Sequence, residues 1–468
     1  MIRARLAYAA MVVIAAGCSA GDERESAPAP PPPPAVSPPA AVSPPATHKK
    51  VYVSVVDGDT NRVVRDAVVR IGELVDPVSR RGVAAFGVRR APHTVRVSAP
   101  GYATRTVLLP FHRRRWKTVR IYRPAVQWPL YGANPARTQA HDAIEVRPPF
   151  RQVWSRGIGT LIEFPAVVSD GVAYIGNLRG TVWAIAMRGG GIVWRYEIPG
   201  GKMAASPAVV GPHLVVHGME GNVWVLDRAT GRPVWRYRIG SPIESSPVVR
   251  DGVDYFGAWN GTVYALDLRA KRLRWSFRAG YKITSSAALA GGTLFIGDYG
   301  GRIFALSTAT GGERWRGSVN GRVYGTPAVS AGRVFVPSST GGSMTAFSTG
   351  GRRLWTVGTG AYVYSSPAVA RGRVFFGSYN GSFYSVSART GRVLWRVSTG
   401  GPISGAATVV AGIAYAGSFA GRIYGVDVRS GRVLVRFPHG EYVPVSGNAR
   451  RLLFHGYSRL YAVEPRRR

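Results

Sequence analysis

From Phe150 onward, apolar residues come in short runs separated by breaks rich in Gly, Asn, Asp and Arg. The stretch from Tyr362 to Trp395 reads YVYSSPAVA, GRVFFGSYN, GSFYSVS and ARTGRVLW, which is four runs and three turns. Runs this short, carrying Val, Tyr and Phe and bounded by Gly and Asn, predict strands joined as antiparallel hairpins. The pattern then repeats. Trp154, Trp194, Trp235, Trp275, Trp315, Trp355 and Trp395 close successive units at a spacing of 40, with a single interval of 41 between Trp194 and Trp235. An eighth site keeps the run as SGRVLV and ends in Val435. A period of about 40 to 45 with four apolar runs per unit predicts a β-propeller.

Each conserved place in the unit has a structural use. The first run carries small residues, as in Ser245-Ser246-Pro247, Ser285-Ser286-Ala287, Gly325-Thr326-Pro327 and Ser365-Ser366-Pro367. Small side chains suit strands that converge on an axis, and proline there removes an amide from the ladder. The third run ends in Asp227, Asp267, Ser307, Ser348, Ser387 or Asp427, whose oxygens can accept turn amides. The tryptophan supplies a large area for packing between blades. After Val435 only YVPVS, RLLFHG and RLYAV remain, so the last blade lacks a fourth strand, while FRQVW at 150–154 is a fourth strand without its first three. The expected fold is all-β: an eight-bladed propeller of four-stranded antiparallel blades, closed by pairing its N- and C-terminal strands.

Residues 51–123 read as six further strands, VYVSVV, AVVRIG, GVAAFGV, HTVRVSA, TRTVLLP and KTVRIY, which predict a small β-sandwich. Before them, Arg3 and Arg5 precede an apolar stretch from Leu6 to Ala16 and then Gly17-Cys18-Ser19. That order describes an export signal, and the stretch is too short for the roughly 20 residues that span a bilayer. Residues 26–47 are mostly Pro, Ala, Ser and Val, an extended stalk that cannot form a core. The organisation is therefore a signal peptide at 1–17, Cys18 with a linker to 49, a sandwich at 50–124 and a propeller at 125–468.

Three resemblances refine this plan. AAGC resembles the bacterial lipoprotein signal, which implies lipidation of Cys18 and a protein anchored on the outer side of the cell membrane. The stretch SAPGYATRTVLL within 93–109 resembles the carboxypeptidase regulatory-like domain and implies no catalysis. Trp128-Pro129-Leu130-Tyr131-Gly132, with Asn134 and Ala136-Arg137-Thr138, resembles the lead-in of PQQ-like β-propeller repeat proteins. Tyr264 to Asp267 matches their repeat motif, and the likeness covers residues 125–468. That family includes the propeller lipoprotein of the outer-membrane β-barrel assembly machinery and the quinoprotein dehydrogenases. The dehydrogenases imply PQQ, calcium, a catalytic Asp and a ring of vicinal cysteines. Cys18 is the only cysteine, so the ring cannot form, and no cofactor or metal is expected.

The net charge of +37 raises nucleic acid as a partner, but the export signal argues against it, and turn arginines account for much of the charge. The loop His112-Arg113-Arg114-Arg115-Trp116-Lys117 reads as a solvated turn or a contact to an anionic surface. Glu163 and Glu244 are the carboxylates nearest the axis. Counted from the proline that follows each (EFP against ESSP), they fall on opposite faces and make a poor metal pair. His213 and His217 share a strand face and read as a surface pair. The third-to-fourth turns place Arg232, Arg272, Arg392 and Arg432 at one end of the propeller. The other end carries Leu178, Met219, Trp259, Tyr299, Tyr379 and Phe419 at one turn position, with Tyr281, Tyr324 and Tyr362 in nearby loops. Either these groups fold over onto the next blade, or they form a face for a protein or polymer of the cell envelope. The reading that follows is a monomeric, lipid-anchored, non-catalytic binding propeller; the alternative is a PQQ-dependent oxidoreductase.

Overall fold

The computed structural model describes residues 48–89, 91–110, 116–442 and 445–466. The expected export segment with Cys18, the proline tract and residues 111–115 of the basic loop lie outside the described residues. Within them the molecule is all-β, with a single 3-10 turn at Pro124–Val126.

The N-terminal strands form two sheets. His48–Asp57 pairs antiparallel with Val83–Arg89 and parallel with Trp116–Ile121. The second sheet runs Leu74–Pro77, Val68–Ile71, His93–Ser98, Arg105–Leu109. Between them Val53, Val55, Val69, Phe86, Val95, Val97 and Val119 make a buried core. Leu74–Pro77 is a seventh strand beyond the six expected. It is a mostly exposed edge ending in proline, so it lacks the alternation that marks a half-buried strand.

Eight sheets follow, each with four antiparallel strands, and the seventh gains a fifth, Ala140–His141, paired parallel to Thr408–Val410. The first blade comprises Val167–Ser169, Val172–Gly176, Thr181–Ala186 and Ile192–Glu197. Six more repeat that order from first strands that begin at Ala208, Val248, Ala288, Ala328, Ala368 and Thr408. The eighth supplies Val445–Gly447, Leu452–His455 and Arg459–Pro465, and its fourth strand is Phe150–Gly157, with Ala462 opposite Trp154. Val445–Gly447 also lies beside Val167–Ser169, so the last blade meets the first.

Tryptophan joins the blades in a way the sequence foreshadows. The indole N–H of Trp154, Trp194, Trp275, Trp315, Trp355 and Trp395 donates to a carbonyl in the third-to-fourth turn of the next blade, as in Trp154 to Met187 at 2.9 Å. A glycine in that turn lies flat on each ring. A Cβ on Gly190 would stand 2.7 Å from Trp154, and φ there is +69°. Trp235 is the exception. Lys271 occupies the glycine's place at φ 56°, the indole makes no such bond among the described residues, and a cavity of about 580 Å³ opens beside it.

The inner strands are held from within. Residues 128–139 pass around the axis, and their carbonyls accept the amides of Val168, Val209, Leu289, Val329, Val369 and Val409, one from each of six blades. Arg137 ties in the third blade: its guanidinium is buried and donates to the carbonyls of Tyr131, Ser246, Pro247 and Ala287. Burial pushes that guanidinium down to about 10, still charged at neutral pH. Around the same axis runs a relay of hydroxyls. The amide of Ser206 donates to Ser246 Oγ, Ser246 to Ser286 Oγ, Ser286 to Thr326 Oγ1 and Thr326 to Ser366 Oγ, at 2.8 to 3.2 Å. The small residues of the first run are therefore chosen for their oxygen as well as their size.

His217 corrects the expectation of a surface pair. It is fully buried between the second and third blades, 2.8 Å from Asp254 and 2.6 Å from the carbonyl of Ser245. His213 alone of the two is partly exposed.

The sandwich meets the propeller at Asp59, which accepts amide hydrogens from Gln127 and Asn448 at 2.8 Å each. Burial, with Asp57 and Asp170 nearby, pushes its carboxyl up to about 6 against the pull of the Gln127 bond and Arg123. The folded state therefore holds a proton between about pH 6 and the ordinary aspartate range that the unfolded chain releases. Stability measured relative to Asp59→Ala is expected to rise by about 1.4 kcal/mol as pH falls from 7.5 to 5. A flat difference would place Asp59 in water. Deleting residues 148–156 removes the eighth blade's fourth strand and is expected to cause aggregation or melting well below wild type. Melting at the wild-type temperature would put the ring's closure elsewhere.

Candidate functional site

The two ends of the propeller differ in chemistry. At the end formed by the third-to-fourth turns, Asp227, Asp267 and Asp427 accept turn amides, as their spacing suggests. Arg232, Arg272, Arg392 and Arg432 extend from those turns into solvent.

At the opposite end, the amide of each second-to-third turn residue donates to a carbonyl of the preceding blade-to-blade loop. The pairs are Leu178 with Leu161, Met219 with Lys202, Trp259 with Pro242, Tyr299 with Lys282, Ser339 with Arg322, Tyr379 with Tyr362 and Phe419 with Pro402. This ring of bonds fixes the turn tips. Trp259, Tyr281, Tyr362 and Phe419 are exposed there, while Leu178, Met219, Tyr299, Tyr324 and Tyr379 are half-buried. The aromatic groups lean on one another. Centroid distances are 6.0 Å for Tyr362–Tyr379, 6.0 Å for Tyr379–Phe419 and 5.1 Å for Phe419–Tyr442. Tyr364 joins Tyr379 at 5.1 Å and Tyr324 at 5.5 Å, and Tyr299 lies 6.5 Å from Tyr324. Tyr281 stands apart, under the guanidinium of Arg302. Leu178 and Met219 are aliphatic, so the aromatic sector covers the third to eighth blades.

Glu163 and Glu244 meet at this end, which overturns the expectation that they point apart. The Tyr324 hydroxyl lies 3.2 Å from Glu163 Oε1 and 2.9 Å from Glu244 Oε1. Trp259 Nε1 donates to Glu244 Oε2 at 2.9 Å, and Lys282 Nζ sits 3.2 Å above the Trp259 ring. Both glutamates precede their first strands, in irregular backbone where alternation does not apply. The first blade also has one residue fewer between the acid and its proline. Counting instead from the preceding apolar residue, Ile162 or Ile243, aligns Glu163 with Glu244, Thr284, Tyr324, Tyr364 and Ser404. These positions ring the axis, and that count is the signal that finds Tyr364.

Inside the ring is a pocket of about 260 Å³, lined by Glu163, Phe164, Tyr324, Tyr364, Tyr379 and Tyr442, with Tyr131 from the axial segment. Burial, and then the Glu244 charge, push the Glu163 carboxyl up; the Tyr324 bond opposes them. Burial and both glutamates push the Tyr324 phenol far up, so it stays protonated. Burial lowers Lys282, against the attraction of Glu244.

This architecture defines a β-propeller of the PQQ-like repeat type, with its axis filled on one side and open at an aromatic mouth. In sequence, residues 178–286, 259–362 and 338–443 match the family described as outer membrane protein assembly factor BamB, and the chain belongs to that family. No curated protein matches the sequence. Among solved structures it is similar to BamB from Moraxella catarrhalis, with TM-score 0.58 and 19% identity over 69% of this chain and 99% of that one. It is also similar to the quinohemoprotein alcohol dehydrogenase from Comamonas testosteroni, with TM-score 0.63 and 14% identity over 73% and 81%. A europium-containing methanol dehydrogenase gives TM-score 0.61 and 12% identity over 73% and 98%. At these identities the likeness concerns the fold.

Trp259→Ala with Tyr379→Ala removes two rings of the mouth, one bonded to Glu244 and one lining the pocket. The double variant is expected to fold and to lose no more than about 1 kcal/mol of stability. A much larger loss in denaturant titration would make the aromatic mouth part of the core.

Proposed function

We propose that this chain is an exported, lipid-anchored, non-catalytic propeller that holds a protein partner of the cell envelope on its aromatic end. The observation that carries this reading is the aromatic sector in which Tyr362, Tyr379 and Phe419 pack in a row, with Tyr362, Phe419 and the separate Trp259 exposed. Turn tips are ordinarily polar, and exposed aromatics are the groups most enriched at binding hot spots. The family's description as an outer membrane protein assembly factor supports an envelope setting. Cys18, at the end of the export signal, is the proposed anchor, and the proline tract the stalk.

The oxidoreductase alternative fits the pocket poorly. PQQ carries three carboxylates, and the mouth of this axis presents two more, Glu163 and Glu244, with no ion pair to either among the described residues. The single cysteine gives no vicinal pair. The reading of this chain is therefore recognition.

Capture from envelope extracts tests it. The folded Trp259→Ala, Tyr379→Ala variant is expected to retain a partner at least tenfold less well than wild type. Reversal of Arg232, Arg392 and Arg432 to Glu should weaken mainly salt-sensitive attraction to anionic surfaces. Equal capture by the aromatic variant would move the binding face elsewhere. For the anchor, Cys18→Ala is expected to take up no labelled fatty acid, and labelling equal to wild type would remove the lipoprotein assignment.

A further inference from the structure

The pocket within the mouth has a hydrogen-bonding imbalance. Two carboxylates offer four oxygens, yet the donors that reach them are one phenol, Tyr324, and one indole, Trp259. A phenol has a single proton and cannot donate fully to Glu163 and Glu244 together. The trio must then share a proton or remain short of donors. The chain has 61 Lys and Arg against 24 Asp and Glu, and none of those cations is ion-paired with either glutamate among the described residues. Lys282 is nearest in effect, but its ammonium lies over the rings of Trp259 and Tyr299.

The walls add a second, independent indication. Phe164, Tyr324, Tyr364, Tyr379 and Tyr442 surround Glu163, and aromatic faces attract a cation through their negative quadrupole. The volume of about 260 Å³ lies just below the roughly 300–1,000 Å³ that holds drug-sized ligands. No group of three His, Cys, Asp or Glu side chains converges to hold a metal among the described residues. A hard cation wants six or more oxygens, which this cage lacks. A compact head with several N–H donors and a short apolar stem matches acid, rings and volume together.

We propose that the axial pocket binds an organic cation, an alkylammonium or guanidinium head, seated among the tyrosines and donating to Glu163, with the Glu244 carboxylate behind Tyr324 adding its charge. The pocket adjoins the tips that carry the partner reading, sharing Tyr379 and the Trp259–Glu244 bond with them, but Glu163 belongs to the pocket alone, so its substitution tests this site separately. The groups facing Glu163 are Glu244, Tyr324 and Tyr442; those facing Glu244 are Tyr324, Tyr299, Trp259 and Lys282, with Arg322 beyond. Burial holds the Glu163 carboxyl above the ordinary carboxylate range, so entry of a cation releases a proton where that carboxyl is protonated, and binding strengthens as pH rises through its titration.

Isothermal titration of the full chain at low salt tests this with n-butylammonium and methylguanidinium, against neutral n-butanol and calcium chloride. Both cations are expected to bind with one site per chain, at least tenfold tighter than butanol, with proton release seen by changing buffers. Glu163→Gln should weaken them at least tenfold and abolish the proton release, at an unchanged melting temperature. Should Glu163→Gln misfold, Tyr324→Phe and Tyr364→Ala carry the same test, each with at least threefold loss. A Gly-Lys-Gly peptide that binds tenfold tighter than butylammonium would identify the source as a partner's side chain; equal affinities would identify a free small cation. Butanol matching the cations, no cation binding, calcium binding in their place, or unchanged affinity in folded Glu163→Gln would each overturn the proposal.

Discussion

Eight three-residue strands converging on one axis leave a ring of backbone amides that no neighbouring strand can reach. Each amide left buried without a partner would cost about 1 to 3 kcal/mol. Residues 128–139 answer six of these amides with their carbonyls, and hydroxyls on Ser246, Ser286, Thr326 and Ser366 answer the next layer. Much else follows from that constraint. The lead-in must pass around the axis, which takes Ala133, Arg137 and Gln139 into left-handed backbone at φ 68°, 55° and 53°. Arg137 must lie inside, with its charge neutralised by carbonyl dipoles. The lead-in thereby occupies the axis, and a pocket opens at the mouth.

Filling the axis also separates the chemistry of the two ends. The sandwich and the arginine-bearing turns occupy the end from which the lead-in enters, and Asp59 ties sandwich and blades together there. The other end receives the rings and the two scarce carboxylates. A strongly basic protein thus keeps an acidic, aromatic spot at its axis, on the end opposite the arginines of the third-to-fourth turns.

The architecture was legible in the sequence because propeller repetition writes each role eight times. The tryptophan period, the turn aspartates and the split eighth blade all appear where their spacing put them, as Trp154 opposite Ala462 illustrates. The pocket was less legible for a physical reason. Glu163 and Glu244 sit just before their strands, where backbone geometry departs from alternation, and one missing residue in the first blade shifts the count from proline. The edge strand Leu74–Pro77 escaped because an exposed strand carries no apolar face. His217 looked like a surface residue because its partner Asp254 lies 37 residues away in the adjoining blade. Local patterns reveal what repeats locally, and pairs made across a seam are visible only in three dimensions.

Trp235 gives the ring an uneven perimeter. Six seams are fastened by an indole lying on glycine and bonded across the gap, and the terminal seam between eighth and first blades is one of them. Between the second and third blades Lys271 replaces the glycine, and the fastening is gone. The buried His217–Asp254 pair spans that same seam from the inside. A closed ring parts at its weakest joint, so the place where the chain ends meet is not where this one would first open. Of the two seams that no indole bridges, the one between the seventh and eighth blades is packed by Phe437 on Phe454. The one between the second and third has a cavity beside Trp235 and a buried His217–Asp254 hydrogen bond at its inside, which makes that mid-sequence joint the ring's fuse.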